Sequence, residues 1–478
     1  MPQTKPPRKD YVIIPTYLRV NAGTVYTGQG VTIAFIDSGF YPHPALTKRE
    51  SRILKMVDVT SESFGPADFE LVRASSWHGT MVACVACGNG YSSKGYYRGI
   101  ASKASVVLIK AFDGKSIRSV SILKALQWIL KNHKEYKIRI VNISLGGDRN
   151  ESAVRSRICK TIKELHRLGI TIVAAAGNNP TKNVIPPASC QDVITVGGID
   201  DNNVYGEKKI TDYASSFGKT TDGVMKPEIV SPSRQLPAPM LFENDVYEES
   251  QILHTLLKVP LKRLKSGLKK HIKGTKLDPS LLNKTPIEIR NSIIERLRVE
   301  KFFAPKYQHV DGTSFAAPIV SSIIAQMLEA NPRLTPSMIK LILVSTARRI
   351  SDIPLEKQGY GLITAHACVQ RALEESHPVS IEDSPKILPH RIMFLYHDHH
   401  AKKISLVGDF TAWKKDIILL NKIDEGLWRA DIPLLSEGSY QYKFLIDDRH
   451  WVEDPVNPLK ENDHYNGFNS VLVVQHTP

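Results

Sequence analysis

The stretch HVDGTSFAAPIV, residues 309–320, places Gly-Thr before one serine and a proline four residues after it. Read as a helix start, it directs backbone N–H groups and the positive end of the helix dipole toward Ser314. Gly312 permits close backbone approach, Ala316 and Ala317 permit tight packing, and Pro318 is expected to cost little in a first turn. That arrangement suits an oxyanion. A plain N-cap has the same look, so the serine gains meaning only if the chain supplies a base and a carboxylate.

Working outward, short β-rich runs alternate with helical patterns: VTIAFI (31–36), SVVLIKAF (105–112), IRIVNISL (138–145), ITIVAAA (170–176) and VITVGG (193–198). Such alternation implies an α/β fold, a doubly wound parallel sheet covered on both faces. Ligands gather beyond the carboxyl ends of such strands. Asp37 ends the first run, Ser144 lies in the third and Asn178 follows the fourth, while SSWHGTMVACVA sets His78 at a helix start.

With these pieces in hand, the chain resembles the subtilisin-like serine proteases. The resemblance is carried by D-S-G at Asp37, H-G-T at His78, N-x-S-L-G-G from Asn142 to Gly147, A-A-G-N ending at Asn178, and G-T-S-x-A-x-P around Ser314. The order Asp, His, Ser is that of subtilisin. It covers about residues 10–233 and 305–373. It implies a serine endopeptidase with Ser314 as nucleophile, His78 as general base and then acid, and Asp37 fixing the imidazole tautomer. By the same resemblance Asn178 donates to the oxyanion, and Ser144, Leu145 and Gly146 pair with substrate and border the S1 pocket. Two departures stand out. Ala45 and the carboxylate-free loop GNGYSSKGYYRG replace the oxygen ligands of the family's strong calcium site, so no metal is expected there. Ile185 stands where the S1 wall commonly has glycine, implying a shallower pocket.

Residues 234–304 break the rhythm as a charged helical insertion without an obvious strand. It holds 14 Lys/Arg against 8 Asp/Glu, and KVPLKRLKSGLKKHIKGTK (258–276) holds eight basic residues and no acidic one. Leu261, Leu264, Leu268 and Ile272 recur at near-helical spacing, leaving a basic face for an anionic partner or simply for solvent. Asp37 comes so early in the sequence that no long inhibitory pro-segment is expected, which leaves this insertion as the candidate for restraint.

The peptidase reading takes in residues 1–376, residues 377–389 read as a linker, and 390–478 turn all-β, with alternating runs separated by Gly, Asp and Asn turns. This last part is expected to be a small immunoglobulin-like sandwich. It resembles the glycogen-binding module of the AMP-activated kinase β subunit and the isoamylase-type early-set domains. That resemblance assigns sugar stacking to Trp413 and Trp451 and hydroxyl contacts to Lys443 and Asn469, with glycogen or another α-glucan as partner. A structural or docking module is the alternative for it. HDHH (397–400) is expected in a turn and not as a metal site.

The 478 residues are 42% hydrophobic and carry a net charge of +15. No run reaches the ~18–20 apolar residues of a membrane span. The five scattered cysteines do not form a secreted disulfide pattern, so reduced thiols and a cytoplasmic location are expected, with Cys84 and Cys87 as small core residues. The chain thus reads as a serine endopeptidase acting on protein or peptide substrates, without cofactor or metal. The alternative is a silent, glucan-targeted binding scaffold.

Overall fold

The computed structural model describes residues 12–61, 66–180, 183–204, 210–242, 244–374, 384–388, 391–424 and 426–475. Seven parallel strands form its centre: β1 Thr32–Asp37, β2 Ile53–Asp58, β3 Ser105–Lys110, β4 Ile138–Ile143, β5 Thr171–Ala175, β6 Val193–Asp200 and β7 Ile229–Pro232. Their order is β7-β6-β5-β4-β1-β3-β2, and Thr211–Asp212 adds an antiparallel edge to β6. The strands are near-continuous apolar runs because both faces are covered. Alternation shows in β1, where Ile33 and Phe35 join one core while Ala34 and Ile36 join the other. Helices α1 Ser76–Cys87, α7 Thr313–Ala330, α8 Pro336–Thr346 and α9 Ala365–Glu374 cover the first face, and α2 Ser119–Asn132 and α3 Arg157–Arg167 the second. β1 lies between β3 and β4, so the strand order reverses beside it. A crevice at the carboxyl end of β1 is the topological consequence.

Helix α7 is the one helix among the described residues long and apolar enough to cross a membrane, and 83% of it is buried inside the fold. It is the core helix that carries Ser314. Pro318 sits in its second turn and not its first, since the helix starts at Thr313. Proline has no N–H to give the carbonyl four residues back, so the Ser314 oxygen is released from the helix ladder. Ser144 Oγ donates to it instead, at 2.7 Å.

The 234–304 segment contains two strands that its composition hid. Leu236–Pro239 and Phe302–Ala304 flank Tyr307–Val310 in an antiparallel three-stranded sheet. Between them, helices α4 Asp245–Lys258, α5 Leu261–His271 and α6 Pro286–Val299 share a core of their own, including Leu253, Leu264, Leu268, Ile289 and Ile293. Helix α6 starts with a capping box, Thr285 and Glu288. Lys262, Arg263, Lys265, Lys269 and Lys270 of α5 face solvent and join no ion pair among the described residues.

Two antiparallel sheets pack over one core, including Phe394, Leu406, Trp428, Tyr442 and Phe444, to make the C-terminal sandwich. Most of the expected linker lies outside the described residues, but its end belongs to the sandwich: Lys386–Leu388 pairs with Arg391–His397. His397 ends that strand and residues 398–400 form the turn after it. The sandwich docks on the peptidase body through Leu341 against Leu395, a bridge between Val224 and Leu459, and an ion pair between Arg349 and Glu453.

The cysteines are not all reduced as expected. Cys159 at the start of α3 and Cys190 are joined as a disulfide, while Cys84, Cys87 and Cys368 are free and buried. The two partners lie 31 residues apart in sequence, and only the packing of α3 against the turn before β6 brings them together. Spacing alone carries no trace of that meeting.

Candidate active site

At the carboxyl end of β1, Asp37 is almost fully buried, and its Oδ1 accepts from His78 Nδ1 at 2.7 Å and from Ser38 N at 2.7 Å. A carboxylate can only accept here, so the imidazole proton is on Nδ1 and Nε2 is left as the basic nitrogen. The approach depends on Gly79. A Cβ there would lie 2.4 Å from the Gly39 carbonyl oxygen and 2.8 Å from Asp37 Cβ. Any larger residue would push α1, and His78 with it, off the strand end. Burial pulls the His78 pKa down, but the charge and hydrogen bond of Asp37 outweigh it, and the net shift is upward. The ring faces Phe315 at 5.5 Å between centroids, which places α1 beside the start of α7.

Ser314 is the second residue of α7, so its N–H is among the first four that no intrahelical carbonyl can satisfy. Its Oγ donates to the Ser144 carbonyl at 3.1 Å. In this rotamer it makes no hydrogen bond to the imidazole among the described residues. Gly312, at φ +135°, brings the chain under Asn178, where a Cβ would lie 3.4 Å from Asn178 Nδ2. Asn178 Oδ1 accepts from Thr313 N at 2.8 Å and from Thr313 Oγ1 at 3.0 Å, and Thr313 Oγ1 accepts in turn from Gly177 N at 3.2 Å. These bonds use up the carbonyl end of the side chain and leave its amide N–H donors as the free end.

Sequence reading missed Ser321, and gave Asn142 and Ser144 no part in holding this arrangement. Ser321 Oγ donates to Asn142 Oδ1 at 2.9 Å, Asn142 Nδ2 donates to Ser144 Oγ at 2.9 Å, and Ser144 Oγ donates to the Ser314 carbonyl. This buried chain of polar groups locks the end of β4 to the first turns of α7. The polar Asn142 between Val141 and Ile143, at the buried end of this strand, was the available signal, because a buried amide needs partners.

Beyond Ile143 the β4 backbone leaves the sheet: Ser144 is buried, Leu145 half-buried and Gly146 exposed. Ile185 faces it, with Cδ1 4.0 Å from where a Cβ on Gly146 would be, and Gly147 N donates to Pro186 O at 3.1 Å. The Ile185 side chain thus borders this stretch. At the position compared with a calcium ligand, the Ala45 carbonyl accepts from Arg52 Nη2 at 2.8 Å and from Asn89 N at 2.9 Å. A buried guanidinium therefore occupies that carbonyl. Among the described residues no group of three His, Cys, Asp or Glu side chains is arranged to hold a metal.

In the sandwich, Trp413 and Trp451 lie 6.5 Å apart between ring centroids and tilted by 46°, on the wall of a cavity of about 770 Å³. Lys443 and Asn469 line it too, so the four residues assigned by resemblance converge. Neither polar group is idle. Lys443 Nζ is ion-paired with Asp463, and Asn469 Nδ2 donates to Gln441 Oε1 at 2.7 Å. The Trp413 indole N–H is held by Asp409 Oδ1 at 2.9 Å, and Trp413 is half-buried.

Residues 28–361 match the subtilase family, and residues 391–478 match the glycogen recognition site of AMP-activated protein kinase. Serine protease AprX of Bacillus subtilis is 28% identical over 73% of this chain and 68% of its own length. The thermophilic serine proteinase of Bacillus sp. AK1 is 29% identical over 36% of this chain, which spans only 39% of that relative. The solved structure of a serine-to-alanine mutant of the protease domain of PatA superposes with a TM-score of 0.48 at 17% identity, covering 73% of this chain and 98% of that one.

Proposed function

The chain belongs to the subtilase family, and on that premise we propose that Ser314, His78 and Asp37 act as the catalytic triad of a serine endopeptidase tethered to α-glucan by its C-terminal module. The observation that carries the catalytic part is the bond from His78 Nδ1 to the buried Asp37 carboxylate, which leaves Nε2 as the base. Rotation about χ1 takes the Ser314 hydroxyl from the Ser144 carbonyl to Nε2. The oxygen attacks the scissile carbonyl as its proton passes to His78, and Asp37 holds the imidazolium that forms. The new oxyanion accepts from the Ser314 N–H and Asn178 Nδ2. His78 then protonates the departing amine, and water enters by the same route to hydrolyse the acyl ester. Substrate backbone lies along Ser144–Gly146, with its P1 side chain against Ile185.

The test is a fluorophosphonate probe on the full chain. Labelling mapped to Ser314, and absent from Ser314→Ala, supports this reading. An unlabelled, folded protein supports the silent scaffold instead. Within the same mechanism, Asn178→Ala is expected to lower kcat by about 10²- to 10³-fold with little change in KM, the range known for subtilisin itself. An unaltered kcat removes Asn178 from the oxyanion site.

Two further assignments rest on surface chemistry. The exposed basic face of α5 suits an anionic partner, and heparin retention unchanged after Lys262, Arg263, Lys265, Lys269 and Lys270 are neutralised together would end that reading. Cytoplasmic placement rests on composition, and the Cys159–Cys190 pair is the observation against it. Cell fractionation decides between them.

A further inference from the structure

The sugar-site cavity is not walled by the sandwich alone. Arg349, from the loop after α8 in the peptidase body, is one of its lining residues, although it lies 42 positions before the matched module begins. Resting on the glucan reading above, we infer that Arg349 contacts the sugar directly, so that the site is complete only while the module is docked on the peptidase.

Three observations carry this. The first is charge. Arg349 pairs with Glu453 and Lys443 with Asp463 on the cavity wall, so two cations meet two anions and the lining is balanced. A balanced wall studded with fixed polar groups, beside two indole faces, fits a neutral polyol and not an anion. The second is donor supply. Among the described residues, only Nη2 of the guanidinium has a hydrogen bond, to Glu453, and the side chain keeps 35% of its exposure. Its other N–H groups are a planar set, suited to the oxygens of neighbouring hydroxyls in a way a lysine ammonium is not. Holding one edge on Glu453 also orders the side chain before the ligand arrives.

The third is continuity. Trp451, Val452, Glu453 and Asp454 follow one another in the chain, and they join the sugar platform to the interface: Trp451 lines the cavity, Glu453 holds Arg349, and the Asp454 carbonyl accepts from Tyr360 Oη at 3.3 Å. Leu341 packs on Leu395 in a separate docking contact outside the cavity lining.

The experiment uses full-length protein carrying Ser314→Ala, which prevents self-cleavage, with maltoheptaose titrated calorimetrically and thermal transitions recorded without sugar. The parent is expected to bind, and Trp451→Ala to lose binding. Arg349→Ala and Arg349→Lys are each expected to weaken it by about tenfold or more, the scale of a lost charge-assisted hydrogen bond. Arg349→Lys retains a cation for Glu453 and is expected to melt with the parent. Failure of the parent to bind overturns the glucan reading itself. Parent binding with Arg349→Ala unchanged overturns the Arg349 contact and leaves the glucan reading standing. The direct contact is also overturned if lysine restores full affinity, because the arginine would then act through its ion pair with Glu453 and docking alone.

Discussion

Ser314→Ala is expected to lower kcat by about 10⁶-fold while leaving the protein folded, the loss known for subtilisin when its nucleophile is removed. The two halves of this expectation have separate physical grounds. In the proposed mechanism the Ser314 hydroxyl is the nucleophile, and without it His78 has no serine oxygen to activate. What survives is catalysis by binding and the oxyanion donors, worth about 10³- to 10⁴-fold over water. The fold is spared because, among the described residues, Oγ makes one hydrogen bond, to the Ser144 carbonyl at 3.1 Å, in a half-buried position. Losing it costs about 1 kcal/mol. The contacts that hold the helix start run through Thr313, through Ser144 Oγ to the Ser314 carbonyl, and through Ser321 to Asn142, and alanine keeps them all. Turnover of a chromogenic peptide and a circular-dichroism melt read both halves. Near-normal turnover would remove Ser314 from the mechanism.

Asp37→Asn is expected to cost about 10⁴-fold in kcat and to move the acidic limb of the pH profile to lower pH. Catalysis needs neutral His78, so kcat/KM falls as pH drops through the imidazole pKa. In the native protein burial lowers that pKa but Asp37 raises it more, so the limb is expected above the ordinary value of about 6.5. The amide removes the charge and leaves burial acting alone. It also permits the wrong tautomer, since an amide can donate to Nδ1, and that accounts for most of the rate loss. The native ion pair contributes stability that is fully present below about pH 6.5 and is lost as pH rises through the raised folded value. A limb that stays in place, or moves upward, would show that Asp37 does not set the His78 pKa.

Much of this site was legible in one dimension. Asp37, His78, Asn178 and Ser314 each sit in a short run whose local demands are strict, such as the glycine after His78 that lets α1 touch the end of β1. Strand runs such as VTIAFI were legible because burial on both faces requires unbroken apolar sequence. Strand Ile53–Asp58 escaped notice because it lies at the sheet edge, where half-exposed positions admit Lys55. The strands at the root of the insertion escaped for a related reason: Leu236–Pro239 carries two prolines, which an edge position tolerates.

Sequence by itself determined the order of the chemical groups, the α/β class with its all-β appendage, and the family, because these follow from local pattern and residue type. Tertiary structure alone decided what depends on distance between remote segments. The release of the Ser314 carbonyl by Pro318 could be inferred from spacing, but that Ser144 takes it could not. Nor does spacing reveal that Arg52 occupies the Ala45 carbonyl, that Cys159 meets Cys190, or that Arg349 reaches a cavity in another domain. Each of these contacts is fixed by how whole elements pack, and a hydrogen bond, disulfide or ion pair between them leaves no periodic trace in the chain.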